Sequence, residues 1–146
     1  MRVLLTGSTG FIGSNLVLRL RDHEVHLLDR YVAGRLNDGD AATHILDLRD
    51  FPAVHALIES LQPEVVIHLA AISPVSYSYD HYEEVSKTNF NATVNLAEAC
   101  IKVPGFKHFI TAGTTEEYGM THDRPATEES RCFPNSPYSV AKHAAT

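Results

Sequence analysis

Tyr138 and Lys142 stand four residues apart near the end of the chain. On a helix that interval puts a phenol and an ammonium on one face, where their side chains can meet. A phenol titrates near pKa ~10 and is a poor base at neutral pH; bringing one to about 7 takes roughly 4 kcal/mol. A positive charge ~5 Å away, at an effective dielectric of about 20, supplies about 3 kcal/mol of that. The pair suits acid/base work on a hydroxyl. Tyr-x-x-x-Lys also arises by chance as an ordinary surface helix pair, so its weight here comes from its place after the last of five strand-like runs.

At the other end, Thr6-Gly7-Ser8-Thr9-Gly10-Phe11-Ile12-Gly13 joins an apolar run to an amphipathic one. A diphosphate needs backbone N–H donors at a helix N-terminus, where the helix dipole favours negative charge. It also needs glycine where a Cβ would collide with ligand or strand. Gly7, Gly10 and Gly13 meet that need, with Phe11 and Ile12 between them in the same cradle. The bland alternative is a tight turn with close helix–strand packing. Asp29 ends the next apolar run, at about the separation of an acid that binds an adenosine ribose. Such a carboxylate accepts hydrogen bonds from both ribose hydroxyls and repels a 2′-phosphate, which favours NAD. Arg30 and Arg35 lie close by, and a guanidinium can hold a 2′-phosphate, so NADP stays open. An oxidised nicotinamide beside Tyr138 would add its positive charge to that of Lys142.

These residues need elements to position them. Arg2 to Thr6, Glu24 to Asp29, Thr43 to Leu48, Val65 to Ala71 and Phe106 to Ala112 read as five strands. The fourth is almost wholly apolar, as suits a parallel strand covered on both faces. Phe11 to Arg21 carries Ile12, Leu16, Val17 and Leu20 on one helical stripe. Asp50 reads as an N-cap with Pro52 in the first turn, and Val54, Leu57, Ile58 and Leu61 follow at helical spacing until Pro63. A long helix is expected over about Tyr82 to Lys102, and another begins at Tyr138. Residues 30–42 and Gly113 to Pro137 read as loops. Strand–helix alternation with short links implies an α/β, doubly wound parallel sheet with right-handed crossovers.

The 146 residues suffice for one domain over 1–146 with one core. Twelve basic against eighteen acidic residues leave a formal charge of −6, a poor match to nucleic acid or anionic membrane. No run approaches the roughly 20 apolar residues of a membrane span. No leader peptide is evident, and Cys100 and Cys132 are in no metal-like spacing, so a reducing, cytoplasmic setting is the expectation. His23, His26 and His122 fall at loops or strand edges, and His68 on a buried strand. No pair shares a helix face with carboxylate support, and no metal is expected. Glu116, Glu117, Asp123, Glu128 and Glu129 read as a solvated acidic loop.

The cradle and the Tyr138/Lys142 pair together resemble the short-chain dehydrogenase/reductase superfamily. The Thr-Gly-x-x-Gly-x-x-Gly form resembles its extended branch, the nucleotide-sugar epimerase/dehydratase family with a Rossmann fold. Asp47-Leu48 resembles that family's adenine-contacting pair. His68-Leu69-Ala70-Ala71 resembles its segment lining the cofactor, implying roles for Leu69, Ala70 and Ala71. Asn89 falls on the apolar stripe Val85, Ala92, Leu96, Ala99, where a polar residue needs a buried partner or a site, and it resembles the family's cofactor-side Asn. By the same resemblance Thr114 orients the reacting substrate oxygen beside Tyr138. Glu116 resembles the glutamate that some dehydratases, reductases and epimerases share, while Thr115 stands where dehydratases of deoxythymidine-diphosphate-glucose have an acidic Asp.

The resemblance implies hydride transfer at a sugar C4 through a 4-keto intermediate, on a nucleotide-sugar substrate. Glu116-Glu117-Tyr118-Gly119 looks closest to reductases of GDP-4-keto-6-deoxy sugars. Family members run to about twice this length, so the last strands and the C-terminal substrate domain are expected to be missing and the chain alone inactive. Often they dimerise through the long helix and the one bearing the Tyr, so a homodimer is expected. The competing readings are a non-catalytic dinucleotide-binding module, which has no need of Tyr138, Lys142 and Thr114 together, and a methyltransferase, which has no use for Tyr-x-x-x-Lys.

Overall fold

The computed structural model describes residues 1–31, 41–120 and 125–146. Five parallel strands form one sheet: β1 (Arg2–Thr6), β2 (Glu24–Asp29), β3 (Ala42–Ile45), β4 (Val65–His68) and β5 (His108–Thr111), in the order β3-β2-β1-β4-β5. Central strand β1 pairs Leu5 with Leu27 of β2 on one side and with Ile67 of β4 on the other. Because side chains alternate along a strand, Leu4 and Leu5 enter different cores. Leu4 packs with Leu28, Val66, Ile58 of α2 (Phe51–Leu61) and Leu96 of α5 (Ala92–Cys100). Leu5 packs with Leu27 and with Val17 of α1 (Phe11–Val17). Helices thus cover both faces, as the apolar runs require, and burying each leucine is worth about 1.5–3 kcal/mol.

The strand order reverses direction at β1, so the loops after β1 and β4 diverge to opposite faces. In an open α/β sheet the crevice at the carboxyl ends beside that reversal is where ligands bind.

Several boundaries differ from expectation. The first helix is regular only to Val17, beyond which tighter turns bond Arg19 N to Leu16 O and Leu20 N to Val17 O. Strand β4 ends at His68, because Leu69–Ser73 turns to line the crevice. The long helix runs as α4 (Tyr82–Ser86), a π-helical segment (Lys87–Asn91) and α5. A short helix α3 (Tyr77–Asp80) precedes it, and a 3₁₀ turn (Thr115–Tyr118) interrupts the expected loop. Asp50 caps α2 by accepting from Ala53 N, and Gln62 closes it with φ 52° before Pro63. Helix α6 (Pro137–Ala144) opens with a capping box in which Ser136 and Ser139 exchange hydrogen bonds. Arg35, His122 and Asp123, and most of the 30–42 loop, lie outside the described residues.

Candidate active site

A cleft of about 610 Å³ opens at the carboxyl ends of the strands. Every strand contributes to its wall: Gly7 to Gly13 after β1, Asp29 and Arg30 at β2, Asp47 and Leu48 after β3, Leu69 to Ala71 after β4, Ala112 and Gly113 after β5. Helix α6 completes it with Tyr138 and Lys142, so the two ends of the chain that suggested chemistry meet in one site.

Glycine is sterically required at positions 7 and 13 of the cradle. Gly7 has φ 68°, and a Cβ there would stand 2.6 Å from Ala70 N. A Cβ at Gly13 would collide with Gly7 O, and one at Gly10 would lie 3.2 Å from it. Gly7 N donates to Leu28 O at 3.0 Å, and Gly10 N to Gly7 O at 3.1 Å, which sets the loop's curl. Phe11 and Ile12 are exposed at its rim.

Asp29 does more than face a ligand. Its Oδ2 accepts from Thr9 N at 3.0 Å and Thr9 Oγ1 at 2.7 Å, and its Oδ1 accepts from Arg30 N at 2.8 Å. The Arg30 guanidinium lies 4.8 Å from the Tyr31 ring centre. Asp47 binds Arg49 through a 2.6 Å ion pair, which holds its carboxyl below the usual range.

Behind the wall runs a buried polar chain. Thr93 Oγ1 donates to Asn89 O at 2.9 Å, so it must accept from His68 Nε2–H, also at 2.9 Å. The free Nδ1 lone pair then accepts from Thr6 Oγ1 at 2.7 Å, and Thr6 Oγ1 accepts from Ala70 N at 3.3 Å. Each group has its partner only if His68 is neutral. Burial, and secondarily the charge of Lys142, push its pKa down to about 4. Burial also lowers the Lys142 ammonium below its ordinary value.

Three expected site residues do not line the cleft. Asn89 is buried, and its amide bonds both Ile72 N (2.8 Å) and Ile72 O (2.9 Å), so it shapes the wall through Ile72. Thr114 caps the 3₁₀ turn by accepting from Glu116 N at 3.2 Å, and neither residue reaches the cleft lining.

Does the cleft suit a dinucleotide? Glycine at positions 7 and 13 lets the turn close on itself and on the end of β4 beside the cleft, and Thr88 on the wall keeps a buried hydroxyl without a partner among the described residues. A curled loop with an unsatisfied hydroxyl nearby fits a polyanionic, hydroxyl-rich ligand.

The NAD dependent epimerase/dehydratase family model matches residues 3–146. The chain belongs to this family. UDP-glucose 4-epimerase 2 of Oryza sativa subsp. japonica is 32% identical over 96% of this chain and 38% of its own length. A probable dTDP-glucose 4,6-dehydratase of Sinorhizobium fredii is 35% identical over 99% of this chain and 47% of its own. The crystal structure of Thermus thermophilus UDP-glucose 4-epimerase complexed with NAD has a TM-score of 0.89 at 33% identity, covering 99% of this chain and 48% of that one. The chain spans 38–49% of the length of the curated relatives it matches. Family membership and the parallel doubly wound sheet agree with the sequence reading.

The residues that sequence reasoning missed are Thr9, Arg49 and Thr88. Arg49 had a local signal, since it is a donor two residues from Asp47, whereas Thr9 meets Asp29 across twenty residues of sequence. Thr88 had none, because its direction depends on the π-helical segment that carries both it and Asn89.

Proposed function

We propose that the cleft binds NAD and that the protein acts on a nucleotide sugar, as an epimerase or dehydratase working through a 4-keto intermediate. The observation that carries this reading is the presence of Tyr138 and Lys142 in the same cleft as the glycine cradle. Bound NAD would supply a hydride acceptor. Gly7, Gly10 and Gly13 leave room for its diphosphate, and Asp29 offers its remaining lone pair to a ribose hydroxyl. Arg30 and Leu48 line the adenosine side, and Leu69, Ala70 and Ala71 form the floor between the two ends.

Tyr138 takes the proton of the sugar hydroxyl as a phenolate. Lys142 stabilises that phenolate by its charge, and Thr114 with Glu116 serves the sugar from the turn beyond β5. Neutral His68 leaves Lys142 as the cation nearest the reaction, because a second charge behind the wall would oppose it. A homodimer through α4, α5 and α6 belongs to the same proposal, supported by exposed Val94 and Val140 on two of those helices.

A non-catalytic dinucleotide-binding module is the second reading, favoured by the position of Thr114 and Glu116 outside the cleft lining. Tyr138→Phe in the intact protein separates the two. The proposal expects sugar-nucleotide turnover to fall about 10²–10⁴-fold, with NAD affinity retained; turnover equal to wild type would refute it.

A further inference from the structure

Away from the cleft, three side chains from three segments converge. Glu117 stands in the 3₁₀ turn, Cys132 in the stretch leading to α6, and His143 in the last turn of α6. A Glu117 carboxylate oxygen, the Cys132 sulfur and a His143 ring nitrogen all lie within 4.8 Å of one another. His143 Nδ1 is 3.5 Å from Glu117 Oε2. Nitrogen and oxygen ligands held tetrahedrally on zinc stand about 3.3 Å apart, so this edge already has nearly its coordinated length. Closing the sulfur onto the other two takes movements of about 1 Å at most, since zinc–sulfur bonds are ~2.3 Å.

The backbone beneath these side chains is held in place. Phe133 N donates to Glu117 O at 2.7 Å, tying the residue after the thiol to the residue bearing the carboxylate. Gly119, at φ 64°, packs against Phe133 O so closely that a Cβ would collide with it. The capping box fixes the start of the helix that carries His143. Half-buried Glu117 and Cys132 face a more exposed imidazole, which leaves an entry path for an ion.

A thiolate, an imidazole and a carboxylate make a borderline-soft set that suits zinc and does not suit magnesium or calcium, which take all-oxygen shells. We propose that Glu117, Cys132 and His143 bind one zinc ion, which staples the segment before α6 to the turn after β5. On binding, the Cys132 thiol releases its proton to solvent and the sulfur becomes a metal ligand. Three protein ligands leave a fourth position for water. The sequence pointed away from a metal because these ligands come from three segments, not from pairs on one helix face. The inference does not rest on the proposed reaction.

The test strips the intact protein with a chelator and titrates it with Zn²⁺ alone by calorimetry, then with Co²⁺ by absorbance. The expected result is one equivalent of Zn²⁺, and a thiolate-to-cobalt charge-transfer band that Cys132→Ser removes. His143→Leu should weaken Zn²⁺ binding at least about tenfold. In unsubstituted protein, Zn²⁺ should slow alkylation of Cys132 while buried Cys100 serves as the internal reference, so the outcome does not depend on a variant folding. Absence of stoichiometric uptake, a cobalt spectrum without the sulfur band, or unchanged alkylation of Cys132 would overturn the proposal.

Discussion

The Asp29 carboxylate offers about four lone-pair positions, and three are taken by Thr9 N, Thr9 Oγ1 and Arg30 N. One position remains for a ribose, so the reading that both hydroxyls bind this acid requires Thr9 to yield. Hydrogen bonds to a charged group are worth about 1.5–3 kcal/mol, so Asp29→Ala should weaken NAD binding by about 10- to 100-fold. NADP should lose less, because the charge repelling its 2′-phosphate is gone. Calorimetric titration of both cofactors checks this; equal losses would remove the ribose role. At His68 the sign of the pH effect follows from its depressed pKa. The unfolded chain binds a proton near pH ~6.5, the folded one only near about 4. Its contribution to stability is therefore complete above about pH 6.5 and is lost as pH falls toward 4, amounting to about 3 kcal/mol in all. Carboxylates held low by their partners, such as Glu64 at about 2 beside Lys107, act below that window. Denaturant unfolding between pH 7 and 4.5 should show the loss, and His68→Gln should flatten it; an unchanged slope in that variant would assign the effect elsewhere.

Among the elements, the β1–α1 turn tolerates the least change. Gly7→Ala would force φ 68° on a residue with a Cβ, and would also drive that Cβ to 2.6 Å from Ala70 N. The backbone conformation alone costs about 1–3 kcal/mol, and the collision adds to it. Gly113 has nothing within 4 Å of an added Cβ, so Gly113→Ala should stay within about 0.5 kcal/mol of wild type. Thermal unfolding of the two variants measures the contrast; equal stability would mean that the loop yields at little cost. The same turn explains why this part of the site was legible before folding was considered. Glycine spacing states a steric demand directly, and a capped apolar stripe such as Asp50 to Leu61 states a helix. The π-helical segment was not legible, because Lys87-Thr88-Asn89-Phe90-Asn91 has the composition of an ordinary helix. Its widened turn is bound up with the Asn89 amide clasping Ile72, a contact from outside the helix. Helix α3 was equally hidden, since Tyr77 OH bonding Glu84 at 2.7 Å is a tertiary partnership.

For the whole molecule, alternating patterns were enough to read a parallel doubly wound sheet, and family membership bears that out. The first two strands end at Thr6 and Asp29 as the pattern reads, but the last three are shorter than their apolar runs, as at Leu69 to Ala71, because apolar residues serve a ligand wall as well as a core. That conflict between local pattern and local structure is what a binding crevice produces. In the proposed reading, one cleft holds the dinucleotide along its floor and brings it to the phenol of α6. A crystal structure of the intact protein grown with NAD tests it most directly. The diphosphate should lie against Gly10 to Gly13, a ribose hydroxyl on Asp29, and the nicotinamide beside Tyr138 and Lys142. NAD bound outside this cleft, or a nicotinamide pointing away from Tyr138, would contradict it.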